Sequence, residues 1–125
     1  MEVYSQEELS EAARAIQSTR MKSEKAILKL KEGTAQYRLS ARGIAAYSLA
    51  LQLIAREQGE PQEVILYSKK SLEQAVEAFA FATARVESVL PKFAAGTPQH
   101  TLATRRLKAF AIAQELLRRE TVREN

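Results

Sequence analysis

The chain contains no cysteine and no tryptophan. Without cysteine there are no disulfides, no thiolate metal sites and no thiol nucleophile. That usage fits a reducing cytoplasm, which is the expected location. Aromatic residues make up only 6% of the chain. A core of Leu, Ile, Val and Ala is therefore expected, with few aromatic walls for a ligand. Aspartate is missing too, since all 15 acidic residues are Glu. Gly occurs four times and Pro three times in 125 residues, and this scarcity of helix breakers marks a helical composition.

Other absences narrow the chemistry. The most apolar stretch, Ile44 to Ala55, is well short of the roughly 20 residues that cross a bilayer, and it carries Ser48 and Gln52. The polar, acidic start MEVYSQEELSE is not a secretory signal. A soluble protein without membrane contact is expected. His100 is the single histidine. No Glu-x-x-His occurs, which excludes the usual two-metal site of four-helix proteins. Serine and threonine lack a histidine partner for nucleophilic catalysis. The glycines are scattered, so no phosphate-cradling loop is written. No enzyme class, cofactor or metal is expected.

What the sequence does contain is the same text twice. EGTAQYRLSAR begins at Glu32 and AGTPQHTLATR at Ala95, and Gly33 aligns with Gly96, 63 positions later. The register holds without a gap from Tyr4/Tyr67, Ser5/Ser68 and Leu9/Leu72 to Ala50/Ala113, Arg56/Arg119 and Glu57/Glu120. The expected fold is all-α: one domain over 1–125, made of two tandem helical hairpins, 1–58 and 64–121. They should pack as a four-helix bundle about a pseudo-twofold axis, because one hairpin cannot bury its apolar face alone.

Each copy reads as helix, tight turn, helix. Leu72, Val76, Phe79, Thr83, Val86, Leu90 and Phe93 form one helical stripe. The first copy repeats it as Leu9, Ala13, Ile16, Arg20, Ser23, Ile27 and Leu30, with a polar interruption at Arg20 and Ser23. Ser5-Gln6-Glu7-Glu8 fits a capping box, and Tyr4 and Leu9 stand at staple spacing. Gly33 and Gly96 suit the left-handed residue after a helix, Thr34 and Thr97 suit the cap of the next, and Pro98 suits its first position. Gly43 aligns with Arg106 and is expected where a neighbour passes close. Gly59 stops the second helix and Pro61 can start the third. Residues Val64 to Tyr67 fit either an extended or a helical state. Pro91 should kink or end helix three near Leu90.

Glu24 and Arg42 lie nine residues either side of Gly33, and Glu87 and Arg105 stand likewise around Gly96. Equal distance from a turn means equal height in a hairpin. Two structural ion pairs, Glu24–Arg42 and Glu87–Arg105, are expected, with the Arg42 stem partly buried. The net charge is +4. Arg20, Lys22, Lys25, Lys29 and Lys31 end helix one, and Arg118, Arg119 and Arg123 end helix four, as the helix dipole favours. Arg105, Arg106 and Lys108 are not explained that way.

The run Gly-Thr-x-Gln-(Tyr or His)-x-Leu-x-x-Arg, carried best by Gly96, Thr97, Gln99, His100, Thr101, Leu102 and Arg105 and again by Gly33, Thr34, Gln36, Leu39 and Arg42 with Tyr37 in the His place, resembles small helical proteins of Gram-positive bacteria. That resemblance implies a bacterial helical protein and assigns no activity. The function expected first is a non-catalytic protein–protein interaction or regulatory module, with a protein partner or self-association. The alternatives are nucleic-acid binding through basic helix four and small-ligand binding near the Glu–Arg pairs.

Overall fold

A computed structural model of the chain describes residues 3–61 and 64–124. Four helices account for most of them: α1 (Gln6–Ile27), α2 (Ala35–Glu57), α3 (Lys69–Val89) and α4 (Pro98–Glu124). Among the described residues there is no strand. The four helices pack against one another around a single buried cluster. α1 and α3 each touch both α2 and α4. α2 and α4 also meet across the diagonal, whereas α1 and α3 do not meet.

Local chemistry sets the helix ends. Ser5 accepts from the Glu8 N–H at 3.0 Å while the Ser5 N–H donates to the Glu8 carboxylate at 3.0 Å, a complete capping box. Ser68 and Ser71 build the same reciprocal pair at the start of α3. Thr34 accepts from the Tyr37 N–H and Thr97 from the His100 N–H, both at 3.2 Å. Gly33 and Gly96 precede these caps at φ +87° and +86°, where a side chain would be strained. α3 ends at Val89 and passes into a 3-10 turn, Leu90–Lys92, that contains Pro91. Proline cannot donate to the carbonyl one turn back, which explains the stop.

Pro61 does not start a helix. α3 begins only at Lys69, after the Ser68 cap. Residues 62 and 63 of the junction lie outside the described residues. Val64 to Ser68 is non-helical, with Val64 and Leu66 exposed and Ile65 and Tyr67 packed against the core. That alternation belongs to an extended chain.

The inward stripes are rotated slightly from the expected ones. On α1 it is Leu9, Ala12 and Ile16 that are buried, and on α3 it is Leu72, Ala75 and Phe79. Val76 is left partly exposed, and the buried core holds no valine among the described residues. The few aromatics are concentrated rather than spread. Phe79 stands edge-on to Tyr47 (centroids 5.4 Å apart) and to Phe110 (5.7 Å) in the middle of the core. Gly43 is buried, yet a Cβ there would meet only its own helix's Tyr47 ring, at an ordinary 3.6 Å. No close passage by a neighbour requires it.

The end of the bundle that holds the helix starts of α1 and α3 is closed by charge. Glu120 on α4 is only 2% exposed. Its carboxylate accepts from the Arg56 guanidinium on α2, the Tyr67 hydroxyl, and Arg123 at 3.2 Å. Glu57 on α2 faces Arg119 on α4 at 4.0 Å, and the Arg119 guanidinium lies 5.6 Å from the centre of the Tyr4 ring. Burial works to raise the Glu120 pKa, but the Arg56 and Tyr67 hydrogen bonds outweigh it and the net shift is downward. A lowered folded pKa means that the stability Glu120 contributes is full above the ordinary carboxylate range. It is lost as pH falls through the folded value. Glu120→Gln should cost about 2 kcal/mol at neutral pH. That is less than the roughly 3–5 kcal/mol for breaking a fully buried pair, because Arg56 keeps a face in water. Thermal melts from pH 7 down to pH 3 should show the variant's deficit shrinking with acid; a deficit that does not change would show that Glu120 acts by shape rather than charge.

Candidate functional site

The opposite end, where the two Gly-Thr turns lie, is built differently. Past the Tyr47–Phe79–Phe110 cluster polar residues interrupt the apolar stripes, although Ala82 and Val86 on α3 still pack against the core. The next inward positions carry Arg20 and Ser23 on α1, Thr83 on α3 and Arg106 on α4. α1 and α3 do not meet here or elsewhere, and a crevice of about 430 Å³ opens with lining residues from all four helices. α1 contributes Thr19, Lys22, Ser23 and Ala26, and α2 contributes Ser40 and Tyr47. α3 contributes Ala82, Arg85, Val86 and Val89, and α4 contributes Arg106 and Phe110. This size falls in the range of small-ligand sites.

The charge of the lining is one-sided. Lys22, Arg85 and Arg106 face no carboxylate within it. None of the three forms an ion pair among the described residues, and Arg85 rests beside the Phe81 ring, 5.9 Å from its centre. Nε and Nη2 of Arg106 are buried and make no hydrogen bond within the protein. The other buried polar side-chain atoms without a partner among the described residues, Nε of Arg20 and Oγ1 of Thr83, occupy equivalent positions on α1 and α3 at this same level. Such groups are rare in folded proteins, and each one costs free energy. Burial pushes the Tyr47 hydroxyl pKa upward, opposed by the positive charges of Arg85 and Arg106 close to it.

The expected ion pairs do not form. Glu24, Arg42, Glu87 and Arg105 are all exposed. Glu24 pairs instead with Arg20 one turn earlier, at 3.9 Å. Among the described residues Arg42, Glu87 and Arg105 have no ion-pair partner. Each Glu and its Arg stand at equal distance from their turn, but their side chains do not face each other. Glu24 and Arg42 each lie eight residues from an inward residue, Ile16 and Ala50, and Glu87 and Arg105 likewise from Phe79 and Ala113. At 100° per residue that is about 80° around the helix, which points them outward. Arg42 therefore carries no more than a surface charge. The caps Gly33, Thr34, Gly96 and Thr97 stand at the two turns beyond the crevice, and His100 is only partly exposed there.

Arg106 is one of three basic residues, with Arg105 and Lys108, whose place at the start of α4 the helix dipole does not explain. The signal that marks it is the break in the repeat, Gly43 against Arg106, together with the polar interruption at Arg20 and Ser23. Among the described residues no group of three or more His, Cys, Asp or Glu is placed to hold a metal ion. No described helix is long and apolar enough to cross a membrane. No protein-family model, no curated protein and no solved structure matches the chain significantly.

An arginine kept for a ligand rather than for the fold should be a burden without one. Arg106→Met retains the stem and removes the unpartnered guanidinium. It should raise stability by about 1 kcal/mol, a rise of a few degrees in the melting temperature. A lower melting temperature would show that Arg106 holds the fold together.

Proposed function

We propose that the protein is a non-catalytic binding module whose site for a small anion is the crevice at the turn end. The observation that carries this is Arg106, with two buried N–H groups free of protein partners, in a cavity shared with Lys22 and Arg85 and no carboxylate. An anion would satisfy those donors, with the exposed Lys22 and Arg85 adding positive charge along the same lining. It would also link α1 and α3, whose backbones stay apart, and so report its presence to the whole bundle. This keeps the small-ligand function but moves it from the Glu–Arg positions to Arg106.

The other two functions have less support. Most cations of α4 are engaged by glutamates: Lys108 with Glu8 at 3.5 Å, Arg118 and Arg119 with Glu115 at 2.7 and 3.0 Å, and Arg123 with Glu120 at 3.2 Å. The Arg118 hydrogen bond, with help from Arg119, holds the Glu115 carboxyl down to about 2. A nucleic-acid phosphate would have to compete with these partners. Of the exposed large apolar side chains, Leu39 and Phe81 share one small surface pocket between α2 and α3, and Met21 and Leu102 lie on the other two helices.

Millimolar sodium orthophosphate should raise the melting temperature of the protein above that in sodium chloride of equal ionic strength. The same addition should leave Arg106→Met unmoved. Equal responses in the two proteins would remove the anion site, because the general salting effect of phosphate acts on both.

We also infer that the bundle is two tandem hairpins about a pseudo-twofold axis, an ancestral dimer of hairpins later fused. Reciprocity supports this. Arg56 of the first copy meets Glu120 of the second, and Arg119 of the second meets Glu57 of the first. Each tyrosine, Tyr67 or Tyr4, joins the corresponding cluster. The shallow groove of Arg105, Ala109, Ile112, Glu8, Glu11 and Ala12 has its counterpart, 63 positions away, in that of Arg42, Ala46, Leu49, Ser71, Gln74 and Ala75. Such exchange is what an isologous interface produces. A fragment of residues 1–58 should sediment as a helical dimer; a monomeric, unfolded fragment would count against the fusion.

A further inference from the structure

We propose that the ligand of the crevice is a phosphate monoester with a compact apolar body, rather than a bare inorganic anion or a carboxylate. This rests on the anion site argued above and adds the chemical class.

Charge favours a dianion. Lys22, Arg85 and Arg106 face the cavity without a carboxylate among its lining residues. A phosphomonoester carries close to two negative charges at neutral pH and offers three strong acceptor oxygens. A carboxylate supplies one charge and two oxygens. Guanidinium forks match phosphate oxygens in pairs, and Nε and Nη2 of Arg106, both buried and unpartnered, form one edge of such a fork. The Ser40 hydroxyl in the same lining adds a neutral donor.

Size and lining favour an apolar body. The volume of about 430 Å³ corresponds to roughly fourteen water molecules at about 30 Å³ each. A phosphate ion has five heavy atoms and would leave most of that space to water. The remaining wall is mixed: Ala26, Ala82, Val86, Val89 and Phe110 stand beside Thr19, Ser23, Ser40 and Tyr47. On α1 Lys22 is followed four residues later by Ala26, on α3 Arg85 by Val89, and on α4 Arg106 by Phe110, all six lining the crevice. Because α4 runs opposite to α1 and α3, Phe110 lies one turn inward of Arg106 on the core side, whereas Ala26 and Val89 lie one turn outward of Lys22 and Arg85 at the rim. A head group held by Arg106 places a ring or short alkyl body of its ester against Phe110 and Val86. Burying the body adds affinity that a bare ion cannot gain.

Isothermal titration of the full chain with phenyl phosphate, sodium orthophosphate and sodium benzoate at fixed ionic strength separates the claims. Phenyl phosphate should bind at least tenfold tighter than either of the others. Arg106→Met should abolish its binding while keeping the helical circular-dichroism spectrum. Arg105→Met, altering the exposed neighbour outside the crevice, should bind as the parent does. Orthophosphate as tight as phenyl phosphate would overturn the apolar body and leave the anion site standing. Benzoate as tight as phenyl phosphate would overturn the phosphate class alone. No binding of any of the three would remove both. A 5′-phosphorylated oligonucleotide that displaces phenyl phosphate at lower concentration than phenyl phosphate itself binds would overturn the small-molecule class in favour of nucleic acid.

Discussion

The close approach of α2 and α4 across the diagonal is the constraint from which the rest of the molecule follows. Both helices bury alanines one turn apart, Ala46 and Ala50 on α2 and Ala109 and Ala113 on α4. Small side chains let two backbones come near each other. With that pair occupying the centre, α1 and α3 are pushed to opposite flanks and do not touch. Their apolar stripes then need to be only as long as the central pair requires, and beyond Ile16 and Phe79 they are free to carry polar residues. The crevice is the space those polar residues line.

The two ends of the bundle solve the same electrostatic problem in opposite ways. At one end Glu120 is buried and fully engaged by Arg56, Tyr67 and Arg123. At the other, Arg106 is partly buried with donors that find no acceptor in the protein. Burying charge is tolerable when it is paired and hydrogen-bonded, and costly when it is not. A chain of this size has a few kcal/mol to spare, and the paired end supplies part of what the unpaired end spends. Around the crevice the residues 63 positions apart differ, Gly43 against Arg106 and Arg20 against Thr83. The positions of the closed end, Arg56/Arg119 and Glu57/Glu120, are identical in both copies.

How much of this could be read from the sequence depended on the range of the interaction. The Ser5 capping box, the Gly-Thr turns, the Pro98 start and the stop before Pro91 are local, and each was legible because the bonds close within four residues; the Ser68–Ser71 box was not, since Ser71 is not the Glu or Gln such a box usually carries. The Glu24–Arg42 and Glu87–Arg105 pairs failed because chain distance from a turn fixes height and not rotation. Arg56 and Glu57 matched their counterparts in plain sight. Their partnership crosses from one copy to the other, and no spacing along the chain announces it. The aromatic cluster escaped notice because a low aromatic content says nothing about where the aromatics gather. Arg106 was visible only as a basic residue at the start of α4, a place the helix dipole does not explain.

The contact of Arg119 with the Tyr4 ring has a topological consequence. It brings the finish of α4 beside the entry to α1, just as the Tyr67–Glu120 hydrogen bond brings the α2–α3 connection to that same face. A short peptide joining the first seam and a cut at the second would give a circularly permuted chain running α3, α4, α1, α2. No buried contact would have to change. The order in which the ribosome delivers the hairpins is therefore separable from the shape they make.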